Sequence, residues 1–142
     1  MRFYYSIRQS QQEIHMSSMF LEHANVTVKD PDVSAALLCR VFDWKVRWQG
    51  DAIDIGRTVH VGGTQSYIAL YTQPDAKPGD VNSYATLGQM NHIGIVVDDI
   101  DAIEQRVTGE GLTVTSYADY EPGRRFYFDT PDGIEIEVVS YS

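Results

Sequence analysis

His23 and His92 open two stretches of the chain that repeat one another, and two acids, Glu135 and Glu137, stand near its end. The stretch LEHANVTVKDPD, residues 21–32, lies over MNHIGIVVDDID, residues 90–101, at a spacing of 69 positions without a gap; histidine falls on histidine, valine on valine and aspartate on aspartate twice. A second match, residues 68–71 over residues 136–139, holds at a spacing of 68. Strand side chains alternate between two faces. His23, Asn25 and Thr27 therefore oppose the apolar set Ala24, Val26 and Val28, and His92, Gly94 and Val96 oppose Ile93, Ile95 and Val97. Glu135, Glu137 and Val139 likewise oppose Ile134, Ile136 and Val138. A lone strand histidine usually packs or meets solvent. The same residue recurring on the non-core face of both copies, with a carboxylate on a third strand, is a metal-ligand set. Imidazole and carboxylate suit Fe, Mn, Zn or Ni where no thiolate competes.

The elements that must position these groups follow from the same repeat. Internal repetition of this length means two copies of one supersecondary unit. At about 55 residues, each copy is too short to bury its hydrophobic face alone, so the two should share a sheet or a core. Each copy reads as strand, helix and three further strands. First strands are expected over residues 21–28 and 90–97, and helices over about 33–42 and 101–108, where Val33, Leu37, Leu38 and Val41, then Ile103 and Val107, recur at helical spacing. Asp30 or Asp32 caps the first helix and Asp99 the second, which Gly109 and Gly111 end. The remaining strands are expected at 45–49, 53–61 and 65–71, then at 113–117, 124–129 and 134–139, with glycine, proline and aspartate between them. Residues 72–88, with Pro74, Pro78, Gly79 and Gly88, read as a linker between modules at 20–71 and 89–142. Residues 1–19 read as a disordered tail, or as sequence upstream of a start at Met16 or Met19.

Composition removes several function classes. The 142 residues carry 11 Lys and Arg against 20 Asp and Glu, a net charge of −9, which leaves no basic stripe for nucleic acid or an anionic membrane. One cysteine, Cys39, excludes an internal disulfide framework and any zinc site built from several thiolates. It reads as a small helix residue of packing value only. The apolar runs are interrupted by charges too often for a membrane span, so a soluble cytoplasmic protein is expected.

The two copies resemble the paired βαβββ modules of the vicinal oxygen chelate superfamily, which includes glyoxalase I, fosfomycin-resistance transferases, bleomycin-binding proteins and extradiol dioxygenases. The resemblance rests on His23 within LEHANVTVKD, His92 within MNHIGIVVDD, and the closing run FYFDTPDGIEIEVV, and it covers roughly residues 20–141. It implies an α+β fold of two tandem βαβββ modules, a curved mixed sheet around a metal-binding cavity. It further implies that the first and last strands of each module supply the ligand positions, held here by His23, Ala69, His92 and Glu137. Glu137 rather than Glu135 matches because it lies four residues after the turn glycine Gly133. Ala69 has no donor atom, which argues against glyoxalase I activity. The expected ligands are thus His23, His92 and Glu137, leaving open positions on a divalent ion for adjacent oxygens of a small substrate. Tyr127, ten residues before Glu137, matches the family's active-site tyrosine and is the expected catalytic hydrogen-bond donor.

Strand parity adds Asn25, Tyr67, Tyr71 and Arg125 as substrate-binding candidates, Arg125 through a bidentate fork on a carboxylate. Parity also groups Trp44, Val46 and Trp48 on one face of their strand and Lys45 and Arg47 on the other. His60 reads as structural. The resemblance implies a homodimer, with His23 joining His92 and Glu137 from the same chain or from its partner. The expected activity is that of a metal-dependent lyase, isomerase or dioxygenase. The alternative is a metal-free protein of the same fold that sequesters an antibiotic or other small molecule.

Overall fold

The computed structural model describes residues 19–121 and 123–142. The expectation for residues 1–19 therefore falls, Met19 apart, outside the described residues. Among the described residues, eight strands and two α-helices follow in the order β1 (His23–Thr27), α1 (Pro31–Phe42), β2 (Lys45–Ala52), β3 (Gly56–Gly62), β4 (Tyr67–Thr72), β5 (Ile93–Val96), α2 (Ile100–Gly109), β6 (Val114–Tyr120), β7 (Gly123–Asp129) and β8 (Glu135–Ser140). A 3₁₀ turn, Ser83–Ala85, lies between β4 and β5, inside the segment read as a plain linker. No helix among the described residues is long and apolar enough to cross a membrane.

The strands form two four-stranded mixed sheets, β1-β4-β3-β2 and β5-β8-β7-β6, of identical topology. In each, the first strand pairs in parallel with the last, and the other pairs are antiparallel. The equivalence extends to register. Asn25 stands beside Ala69 and Gly94 beside Glu137, while across the antiparallel side His60 meets Ala69 and Tyr127 meets Glu137. Both second strands also carry a register shift, at Val46/Trp48 in β2 and at Thr115/Ala118 in β6.

Helix α1 begins two residues earlier than its apolar spacing predicts, because Asp30, not Asp32, is the cap. Its carboxylate accepts from the Asp32 and Val33 backbone N–H groups at 3.0 and 3.2 Å, and Pro31 occupies a position whose own N–H is not needed. Asp99 caps α2 in the same way, accepting from Ala102 N–H at 3.0 Å. One apolar core joins Ala35 and Leu38 to Val59, Val61, Ile68 and Leu70. A second joins Ile103 and Val107 to Phe126, Phe128, Ile136 and Val138, and it also takes Leu37 and Val41 from the first module's helix. The helix-covered sides of the two sheets therefore meet, which is how two short units obtain enough buried surface. Polar ties run the same way. Arg40 donates two hydrogen bonds to the Glu110 carboxylate, Arg106 reaches the Val41 carbonyl and Asp43, and Asp132 accepts from the Lys29 N–H and the Ser34 hydroxyl. Each histidine-bearing face is consequently turned outward from the shared helix layer.

Candidate metal centre

On the second module's outward face, the register builds a cluster around Glu137. Its neighbour on β5 is Gly94, which has no side chain to cover it; a β-carbon there would stand 3.9 Å from Glu137 Oε2. His92, one residue before β5, uses that space and places Nε2 2.9 Å from Glu137 Oε2. The other carboxylate oxygen accepts from Arg125 Nη1, also at 2.9 Å. Glu137 is 9% exposed, so both partners act on a largely desolvated carboxylate. Tyr127, opposite Glu137 on β7, meets the His92 ring edge-on with centroids 5.6 Å apart. Burial pushes the Tyr127 phenol up, and the charge of Glu137 adds to this, against an opposing pull from Arg125. It remains a hydrogen-bond donor at neutral pH.

Two residues outside the expected ligand and substrate set complete the cluster. Tyr84, from the 3₁₀ turn, donates its hydroxyl to Glu135 Oε1 at 2.5 Å and lies 3.2 Å from His92 Nδ1. The bond to Glu135 pushes the Tyr84 phenol up to about 12. Glu135 shares the face of Glu137, so its nearness was readable from alternation. No signal of that kind marks Tyr84, which lies in a segment without periodicity. A cavity of about 250 Å³ adjoins the cluster, lined by Tyr84, Thr115, Ser116, Tyr127, Asp129 and Glu135.

The first module's face carries the same backbone and different chemistry. His23 Nδ1 lies 2.9 Å from Glu22 Oε1, which also accepts from the Tyr67 hydroxyl at 2.8 Å. These two bonds, Tyr67's first, hold the Glu22 carboxyl below its usual range. The rings of His23, Tyr67 and His60 stack, with Tyr67 4.9 Å from His23 and 4.5 Å from His60, and Trp48 meets His60 at 5.1 Å. The bulge in β2 corrects the expected grouping of Trp44, Val46 and Trp48. The extra residue turns Trp48 onto the face of His60, its cross-strand partner, while Trp44 packs against the cores. It also brings Arg47, expected on the other face, over the Tyr67 ring at 4.7 Å. His60 is thus a member of the outward face, not a separate surface residue. Burial, with the charges of His23 and Arg47, lowers its pKa from the ordinary 6.5. Tyr71 donates its hydroxyl to the Ile53 carbonyl at 3.0 Å, which commits it to the β2–β3 turn. Asn25 stands beside Ala69 on His23's face. The Cys39 thiol is pushed up by burial, away from the reactive thiolate form.

The structure thus brings His92, Glu137, Arg125 and Tyr127 together, and places His23, Tyr67 and Asn25 on the other module. Among the described residues, no group of three or more His, Cys, Asp or Glu is arranged to hold a metal ion within one chain. The unpaired edges of β1 and β5 flank a cleft of about 420 Å³ that includes His23, Tyr67, Gly94 and Val96 in its lining. His92 and Glu137 offer an imidazole nitrogen and a carboxylate oxygen, donor types that suit a divalent ion as well as the ion pair they make here. Two N or O ligands each about 2.1 Å from one ion and at right angles stand about 3.0 Å apart, close to the observed 2.9 Å.

Comparison with solved structures places the chain among proteins of one architecture. A glyoxalase/bleomycin resistance protein/dioxygenase domain from Frankia sp. EAN1pec superposes with a TM-score of 0.74 at 21% identity, covering 87% of this chain and 98% of that one. The trypanothione-dependent glyoxalase I of Leishmania major gives 0.68 at 22%, covering 87% and 88%. The fosfomycin resistance protein FosX of Mesorhizobium loti gives 0.66 at 23%, covering 87% and 92%. No curated protein matches the chain. Residues 20–138 match the family model of the Glyoxalase/Bleomycin resistance protein/Dioxygenase superfamily, and the chain belongs to that superfamily.

Proposed function

We propose that the chain is a divalent-metal-dependent enzyme that acts as a homodimer on a small substrate with adjacent oxygens, by lyase, isomerase or dioxygenase chemistry. The observation that carries the reading is the 2.9 Å approach of His92 Nε2 to Glu137 Oε2 on a face that Gly94 leaves open. His92 and Glu137 would hold the ion with His23 of a second copy, since in one chain the two histidines stand on separate outward faces without a common partner. When bound, the ion would act as a Lewis acid toward two adjacent substrate oxygens. Arg125 neutralises Glu137 through Nη1 and keeps Nε and Nη2 buried without partners, which favours a substrate anion able to draw that fork toward it. Tyr127, held as a phenol, donates a hydrogen bond to substrate oxygen where negative charge develops. Asn25, Tyr67 and Tyr71 line the first module's share of the substrate surface, Tyr67 through its ring and Tyr71 by fixing the turn beside it.

A specific feature favours a second reading, the metal-free sequestering protein. Both oxygens of Glu137 already have partners within the chain, so the carboxylate does not require an ion to be satisfied. One experiment separates the two. His23→Ala and His92→Ala homodimers are expected to lose Mn²⁺ uptake, and a purified mixed dimer of the two variants to recover half the wild-type content, because one of its two sites is intact. Uptake by neither the variants nor the wild type transfers the protein to the sequestering reading. Loss without recovery in the mixed dimer overturns the shared site.

A further inference from the structure

We infer that Tyr84 and Glu135 form a positioning pair that fixes the ring of His92, so that the segment between the modules is a working part of the site. The inference rests on the proposed ligand role of His92 and extends it to two residues beyond the expected ligand set. Tyr84 is well held at its own end. Its backbone N–H donates to Asn82 Oδ1 at 3.1 Å, and the Thr86 hydroxyl donates to the Asn82 carbonyl at 2.7 Å, closing the 3₁₀ turn around it. Its hydroxyl then spans two targets, His92 just before β5 and Glu135 at the start of β8. The shorter contact, 2.5 Å to Glu135 Oε1, takes the hydroxyl proton, because an ionised carboxylate can only accept. The Tyr84 oxygen is left as acceptor for His92 Nδ1 at 3.2 Å, with Glu135 Oε1 itself 3.8 Å from the same nitrogen. This chain of donors gives Nδ1 a partner and turns Nε2 toward Glu137, where a bound ion would take the place of the 2.9 Å contact. That is the orientation a metal-ligating imidazole needs, and a hydrogen bond from the non-ligating nitrogen is the usual means of fixing it.

Tyr84 is 60% exposed, so Tyr84→Phe deletes the hydroxyl at little cost in packing and leaves a folded protein for the test. In metal-free protein, the His92 ring nitrogens are observed by long-range ¹⁵N–¹H correlation, with assignment by comparison with His92→Gln. Tyr84→Phe is expected to move the Nδ1 signal, whose partner is lost, more than the Nε2 signal, whose partner Glu137 stays in place. Mn²⁺ affinity is expected to fall by about tenfold to a hundredfold in Tyr84→Phe and in Glu135→Gln. The double variant is expected to be no worse than the weaker single, since both act on one ring. Residues of merely structural value would give additive losses and an unchanged ring pattern. Tyr84→Phe with both wild-type ring signals and wild-type Mn²⁺ affinity overturns the inference. If wild type takes up no Mn²⁺, the metal reading fails on its own, and the ring pattern alone decides: a shift in Tyr84→Phe upholds the pair, and no shift overturns it.

Discussion

The two modules share strand order, register and even the position of a bulge, yet their outward faces have diverged into opposite kinds of surface. Register makes the comparison position by position. Glu137 in the second module corresponds to Ala69 in the first, Tyr127 to His60, and Arg125 to Thr58, each pair holding the same place against the last strand. One face is a network of charges around a desolvated carboxylate. The other is a run of rings, His60, Tyr67 and His23 stacked and Trp48 tilted against His60, over an alanine. The repeated backbone is maintained by the helix-facing apolar residues, which both copies need in order to fold. The outward residues are free of that constraint, and the histidine at the head of each module is a side chain common to both faces.

The largest effect expected from breaking this difference comes at Glu137. Its replacement by alanine makes the second module like the first at that position while leaving Arg125 largely buried without its anion. A loss of about 3 kcal/mol of stability is expected by chemical denaturation. The double variant Glu137→Leu with Arg125→Met replaces the pair by apolar groups of similar size, and is expected to recover most of that stability while taking up no metal. Unchanged stability in Glu137→Ala would mean that the ion pair does not hold the face together. The reverse asymmetry gives a smaller effect of opposite sign. Thr58, where the second module has Arg125, buries its hydroxyl oxygen without a partner. Thr58→Val is therefore expected to raise stability by about 1 kcal/mol. A decrease would place a polar partner at Thr58.

Alternation was enough to read most of this arrangement from the chain. In β1, β5 and β8 nothing interrupts the period of two, so His23, His92 and Glu137 fall on outward faces as expected, and so does Glu135. The same rule fails at β2, because a bulge changes the count of residues without a marked change in their type, and Trp48 and Arg47 move to the unexpected side. Tyr84 was hidden for another reason. It reaches Glu135 across 51 positions of sequence from a turn rich in Gly, Pro, Asn and Ser, where side-chain direction follows no period. The absence of a complete ligand set among the described residues of one chain was not legible either. It depends on Leu37 and Val41 joining the other module's core, and helical spacing alone does not say which sheet a helix stripe will cover.

The smallest effect expected concerns His60, and it asks whether the ring face is structural in its own right. The groups against this imidazole are Trp48, Tyr67 and His23, with Arg47 over Tyr67 and Glu22 adding a weaker opposing charge. Burial leads in lowering its pKa below 6.5, so the folded state favours the neutral ring. The unfolded chain takes up a proton near 6.5, while the folded chain does so only at lower pH. The stability that this preference contributes is therefore fully present above 6.5 and is lost as pH falls through the folded value. His60→Phe keeps a flat ring in the stack and cannot take up a proton, so its unfolding free energy is expected to fall less steeply than that of wild type as pH drops below 6.5. The difference in slope for one proton cannot exceed about 1.4 kcal/mol per pH unit. Parallel curves would mean that the ring stack does not discriminate between the charged and neutral imidazole, and would leave the carboxylate network of the second module as the only outward face with an electrostatic hold on the fold.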